Sequence, residues 1–259
     1  MRLSSLPAIT LSALLVPTPQ LMSAVPIQFQ SGATQTPLLE LYTSEGCSSC
    51  PPAEEWLSRF KDSPKLWKDF VLVAFHVDYW DYLGWKDSFA AKGYSERQRD
   101  YAAHWRSETV YTPGFVLDGK EWHGWFDRDE LPRSPLRPVG LVTARSEDGK
   151  QWSLSFQSAE RSASSSFSFY VALLGFDLNS DVKAGENRGR KLQHDFVVLA
   201  LAKGTSRRDG ETFRATLSVS SKAGASTKRL AIAAWVTPLN SMQPLQTVGG
   251  WLPLTNRVE

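Results

Sequence analysis

Both cysteines of the 259-residue chain stand in one stretch, Gly46-Cys47-Ser48-Ser49-Cys50-Pro51-Pro52, and what flanks it restricts the local fold. Upstream, "TPLLELYTS" alternates and is rich in strand formers, which predicts a strand over residues 37–43. Downstream, Ala53, Trp56, Leu57 and Phe60 recur at helical spacing, and Pro51 and Pro52 fit because they fall in the first turn. The cysteines therefore belong to a strand-to-helix junction. Their C-x-x-C spacing suits three chemistries: a catalytic dithiol, half of a metal site, or a short structural staple.

At a helix start, unpaired N–H groups and the macrodipole favour negative charge. Such a position lowers a thiol pKa from about 8.5 to between about 3.5 and 7.5. Cys47 is then the attacking thiolate, and Cys50 resolves the mixed disulfide. Ser48 and Ser49 bring weak hydrogen bonds and no positive charge, so an intermediate thiol acidity is expected. Four-ligand zinc would need two further ligands from His76, His104, His123, His194 or carboxylates, and these histidines show no paired ligand spacing. No metal ligand set is assigned. A staple gains most by closing a long loop, and this ring is short.

Further along, "FVLVAFHVDYW" reads as a buried strand. A second helix is expected to start at Ser95, with Gln98 completing a capping box and Tyr101, Ala102 and Trp105 facing inward. The loop "HVDYWDYLGW" leaves its strand at the sheet edge that carries the cysteines, where ligands of α/β sheets bind. Tyr79, Trp80, Tyr82 and Trp85 form either an apolar rim for substrate or part of the core, with Asp78 and Asp81 as acceptors. In "VYTPGFVLDG", Thr112-Pro113 precedes an apolar strand and is either an ordinary turn proline or a cis peptide that would pack against a dithiol and free the Thr112 backbone to pair with an extended substrate. Asp118-Gly119 marks a hairpin turn.

Pro132, Pro135 and Pro138 in "LPRSPLRPVG" exclude a helix or central strand and mark a boundary. From Val139 onward, short alternating runs separated by turns predict an antiparallel β-sandwich. Within it, "GENRGRKLQHD" gathers Glu186, Asn187, Arg188, Arg190 and His194 in a structured polar turn able to dock on the first unit.

The 42% hydrophobic content supports a large core. A formal charge of +2, from 29 basic and 27 acidic residues without a basic stripe, argues against nucleic acid as a partner. Residues 1–24 have the order of a secretory signal: Arg2, an apolar run from Leu11 to Val16, then Ser23 and Ala24. That run is too short to span a bilayer, so the mature chain is expected without a membrane span, in the periplasm or secreted. A pair of cysteines there need not stay reduced.

Strand, CxxC at a helix start, strand, helix, Thr-Pro and hairpin together resemble the thioredoxin fold. More closely, "LELYTSEGCSSCPPAEEWL", "FHVDYWDYLGWKDSFA", "RQRDYA", "VYTPGFVLDG" and "GENRGRKLQHDFVV" resemble a family of exported proteins catalogued as domain of unknown function 1223, over residues 38 to about 200. The resemblance implies an α/β thioredoxin-like domain over residues 35–133 followed by an antiparallel β-sandwich domain over 134–259. It maps Cys47 to the nucleophile, Cys50 to the resolving cysteine, Thr112-Pro113 to the cis-proline pair, and Glu40 to the buried acid that assists proton transfer. The closing helix of that fold is reduced here to "FDRDELPRS". The expected function is an exported thiol-disulfide oxidoreductase with no organic cofactor. It would need an external redox partner and act on a protein or small-molecule thiol or disulfide. Two alternatives are a copper-handling protein using Cys47, Cys50 and His76, and an interaction module whose disulfide is permanent.

Overall fold

The protein is described by a computed structural model over residues 26–127, 131, 137–160, 166–220, 227 and 229–253. Strands β1 (Ile27–Gln30), β2 (Leu38–Thr43), β3 (Val71–His76), β4 (Gly114–Leu117) and β5 (Lys120–Glu121) enclose helices α1 (Pro51–Ser58) and α2 (Lys92–Trp105). Then come β6 (Gly140–Ser146), β7 (Gln151–Ser158), β8 (Phe167–Phe176), β9 (Leu178–Asp181) and β10 (Lys191–His194). The last strands are β11 (Val197–Thr205), β12 (Arg207–Asp209), β13 (Thr212–Ser218), β14 (Arg229–Pro238) and β15 (Gln246–Trp251).

Every residue of β2 and β3 is buried, so both strands are covered on both faces. They sit inside an eight-stranded sheet of order β15-β14-β8-β11-β3-β2-β4-β5. In it, β3 runs parallel to β2 and to β11, while the other pairs are antiparallel. A five-stranded sheet of order β1-β6-β7-β13-β12 packs its apolar side against part of the large one, and β9 and β10 form a separate ribbon.

This architecture overturns the expected thioredoxin-like α/β unit followed by an antiparallel sandwich. The chain is mostly β, with two α-helices among the described residues, and strands from both halves share one mixed sheet. The junction is β11 against β3: Val197 pairs with Ala74, whose N–H donates to Phe196 O at 2.8 Å. Strand β1 crosses the other way and pairs with β6. The physical reason lies in β8, where all ten residues are buried. Phe167, Phe169, Val171 and Leu173 enter the core shared with the five-stranded sheet. Tyr170, Ala172, Leu174 and Phe176 enter the core of β2, β3 and the helices. A strand apolar on both faces needs two covers, and one sandwich supplies only one. The expected boundary at residues 133 and 134 and the leader over residues 1–24 lie outside the described residues.

Locally, the order around the cysteines is as expected: β2, the CxxC segment, then α1. Asp118 and Gly119, with φ of 48° and 80°, turn β4 into β5. Helix α2 begins earlier than expected, at Lys92. Ser95 is therefore no N-cap; its hydroxyl donates to Asp78 Oδ1 at 2.5 Å and accepts from Asp78 N–H at 3.1 Å. Among the described residues no helix is long and apolar enough to cross a membrane.

Candidate functional site

Cys47 and Cys50 form a disulfide. Two turns place them: Cys47 N–H donates to Ser44 O at 3.2 Å, and Cys50 N–H to Cys47 O at 3.2 Å. Cys50 is the N-cap of α1, and its carbonyl accepts from Ala53 and Glu54 at 2.9 and 3.1 Å. Pro51 and Pro52 have no N–H, so the first turn of α1 offers Cys47 no free backbone donor. The support expected from unpaired helix N–H groups is thus missing at the atoms that would supply it.

The Thr112-Pro113 peptide is cis, and Pro113 is buried. Thr112 O lies 3.7 Å from Cys47 Sγ, and Ser49 Oγ lies 3.4 Å from the same sulfur. Trp80 Nε1 donates to Thr112 Oγ1 at 2.8 Å, and Trp85 Nε1 donates to Glu45 Oε2 at 2.6 Å. Both indoles are thereby tied to the rim of the cysteine segment. A Cβ at Gly46 would stand 2.9 Å from Trp80 Cβ, so only glycine lets the chain pass this close. Tyr79 turns to α2, donating to Gln98 Oε1 at 3.1 Å, while Tyr82 is 78% exposed.

Both cysteines are fully buried, and the loop that connects β9 and β10 bonds to the segment that carries them. Ser48 N–H and Oγ donate to Glu186 Oε2 at 2.9 and 2.7 Å. These bonds hold the exposed Glu186 carboxyl below its ordinary pKa. Asn187 Nδ2 donates to Glu45 O at 2.9 Å and Cys47 O at 2.8 Å, and Arg190 fixes the amide by donating to Asn187 Oδ1 at 2.8 Å. Beside this contact opens a cleft of about 530 Å³ lined by Leu83, Lys183, Gly185, Glu186 and Arg188.

Under the segment lies a buried polar cluster. Glu54 Oε1 accepts from Thr43 Oγ1 at 2.5 Å, and Glu54 Oε2 lies 2.5 Å from His194 Nδ1. His76 Nδ1 lies 2.8 Å from Asp87 Oδ2, which also accepts from Glu45 N–H at 2.9 Å. Glu45 accepts from Ser180 Oγ on the ribbon. Burial by itself would raise the Glu54 carboxyl, but the His194 charge and hydrogen bond outweigh it and hold Glu54 below its ordinary value. Burial would likewise lower His194; the Glu54 charge and the contacts with Glu45 and Glu54 reverse this and carry it to about 10. At His76, too, the Asp87 charge outweighs burial and the pKa rises.

The profile of the family described as "Protein of unknown function (DUF1223)" matches residues 38–237. The chain belongs to the DUF1223 family. Among solved structures, the DUF1223 chain is similar to protein AGR_C_4864 from Agrobacterium tumefaciens, at 26% identity and a TM-score of 0.59, covering 86% of this chain and 96% of that one. It is also similar in fold to HBP35 of Porphyromonas gingivalis, at 12% identity and a TM-score of 0.55, covering 86% of this chain and 76% of that one. No curated protein matches it.

Within this DUF1223 protein, Cys47, Cys50, Thr112, Pro113, Trp80 and Trp85 come together. Glu40 does not join them. Side chains alternate along β2, so Thr43 reaches α1 while Glu40 and Tyr42 face α2. There Glu40 accepts two bonds from Arg97, at 2.7 and 2.8 Å, and one from Tyr101 at 2.5 Å. The carboxylate on the cysteine side is Glu54, one helical turn past Cys50. Its spacing from Cys50 was a readable signal; "GENRGRKLQHD" showed a polar turn able to dock, but not that Asn187 would meet the cysteine segment and His194 would meet Glu54.

Proposed function

We propose that the chain is a thiol-disulfide oxidoreductase working through Cys47 and Cys50, exported to an oxidising compartment. The observation that carries this is the Cys47–Cys50 disulfide beside the cis Thr112-Pro113 peptide, with Thr112 O 3.7 Å from Cys47 Sγ. In the reduced form, the Cys47 thiolate attacks a substrate disulfide; one substrate thiolate leaves and a mixed disulfide forms. The Cys50 thiolate then attacks Cys47 Sγ, expelling the second substrate thiolate and closing the Cys47–Cys50 bond. Two electrons pass to the substrate, and the reverse sequence oxidises a dithiol. An external thiol or disulfide partner resets the pair. Because both sulfurs are buried, each turnover requires the ribbon loop at Glu186 and Asn187 to lift.

The test is trapping. In Cys50→Ala the resolving thiol is gone, so Cys47 is expected to accumulate mixed disulfides in extracts of the native compartment, absent from the Cys47→Ala, Cys50→Ala double variant. Absence of adducts in Cys50→Ala would overturn the reading. A second reading, a permanent disulfide in an interaction module, is favoured by that same complete burial.

A further inference from the structure

We propose that the Nε2 atoms of His76 and His194, with oxygen from Glu45, hold one divalent transition-metal ion of the zinc class in the buried cluster under the cysteine segment, while Asp87 and Glu54 orient the two rings. This site is separate from the cysteines and independent of the redox reading.

The cluster joins three elements: Glu54 on α1, His76 at the end of β3 and His194 at the end of β10. One ligand atom from each lies within 4.8 Å of the others, and all three residues are buried. The second observation is at the ring nitrogens. Each histidine turns Nδ1 to a carboxylate, Asp87 for His76 and Glu54 for His194. Each leaves Nε2 buried without a hydrogen-bond partner. A buried nitrogen in that state is costly. A carboxylate on one ring nitrogen and no hydrogen bond on the other is how metal-ligating histidines are held, because the carboxylate fixes the tautomer and aims the second nitrogen at the ion.

Glu45 Oε1 stands 3.4 Å from His194 Nε2, close enough for charge attraction but without hydrogen-bond alignment. That separation is about the edge of a tetrahedron with metal bonds of roughly 2.0–2.1 Å. The wider span of the set means the donors close in on the ion by about 1 Å as it binds. Glu45, Glu54 and Asp87 together surround the two rings with a surplus of negative charge that a dication offsets. Phe89 packs on both imidazoles, with centroids 5.3 and 5.5 Å away, and gives the site a dry wall. Imidazole nitrogen with carboxylate oxygen suits zinc and its neighbours, whereas Cu(I) prefers thiolate.

The probes are zinc and cobalt, with the disulfide-bonded full chain. Equilibrium dialysis is expected to give one zinc per chain, with a rise in Tm on saturation. Bound cobalt is expected to show visible ligand-field bands without thiolate charge transfer. Cys47→Ser, Cys50→Ser should retain the ion; His76→Ala and His194→Ala should lose it. Asp87→Asn should weaken binding about 10–100-fold as a ligand-orienting change. Absence of stoichiometric zinc in the wild type, thiolate charge transfer with cobalt, or loss of the ion in the cysteine variant would each overturn the proposal. The first two use the wild type, so they decide even if the histidine variants fail to fold.

Discussion

At the scale of single residues, Glu40 shows how a buried acid can be read from sequence while its partners are not. "LLELY" marks a buried glutamate, and Glu40 is 1% exposed, but its partner is Arg97 on α2. The Arg97 guanidinium also lies 5.2–5.6 Å from the ring centroids of Phe75, Tyr101, Tyr170 and Trp235, a cage built from residues far apart in sequence. Removing one member of a buried pair strands the other, so Arg97→Met is expected to destabilise by about 3–5 kcal/mol in chemical unfolding. Glu40→Gln should leave the reduction rate of the disulfide near wild type if the protein stays folded; a large loss there would return Glu40 to the redox chemistry. Asp118 supplies the pH test. Burial, with the Glu40 charge opposing ionisation, raises its pKa to about 6 although its carboxylate accepts from Leu38 N–H at 2.9 Å. A raised acid favours folding below its unfolded pKa of about 3.9, and that contribution is lost as pH rises through about 6. Asp118→Asn, which keeps an acceptor and tolerates positive φ, should therefore stabilise by about 1–3 kcal/mol at pH 7 and much less near pH 4, measured by urea unfolding at both.

At the scale of elements, the segments around the cysteines were legible because their signals are local: alternation for β2, helical spacing for α1, Thr-Pro before β4, Asp-Gly for the hairpin. The ribbon was not. Strands β9 and β10 have four residues each, and their placement depends on Asn187 reaching the Glu45 and Cys47 carbonyls across the chain. No periodicity encodes such a contact. Asn187→Ala removes the amide donor from Glu45 O and leaves Cys47 O with Cys50 N–H alone, and is expected to cost about 1–3 kcal/mol. It should also speed reduction of Cys47–Cys50 by a small dithiol, followed by thiol labelling under native conditions. An unchanged rate would mean that the loop does not control access to the sulfurs.

At the scale of the whole molecule, the reading by halves failed because a run such as "SFSFYVALLGF" records that both faces of a strand are apolar and not which elements cover them. The eight-stranded sheet ties the cysteine-bearing strands to β8, β11, β14 and β15, and Tyr170 and Trp235 join the core of the first half. A fragment ending at residue 133 would leave β3 with an open edge and that core uncovered. Such a fragment is expected not to fold, as read by poor amide dispersion in NMR; a folded fragment would show that the shared sheet is dispensable. The functional reading rests on whether the buried disulfide exchanges at all. Its reduction potential, measured on the full chain by equilibration with glutathione, tests this most directly. A cycling dithiol predicts a value between about −270 and −120 mV, and a value below about −300 mV would mark a permanent structural bond and contradict the account.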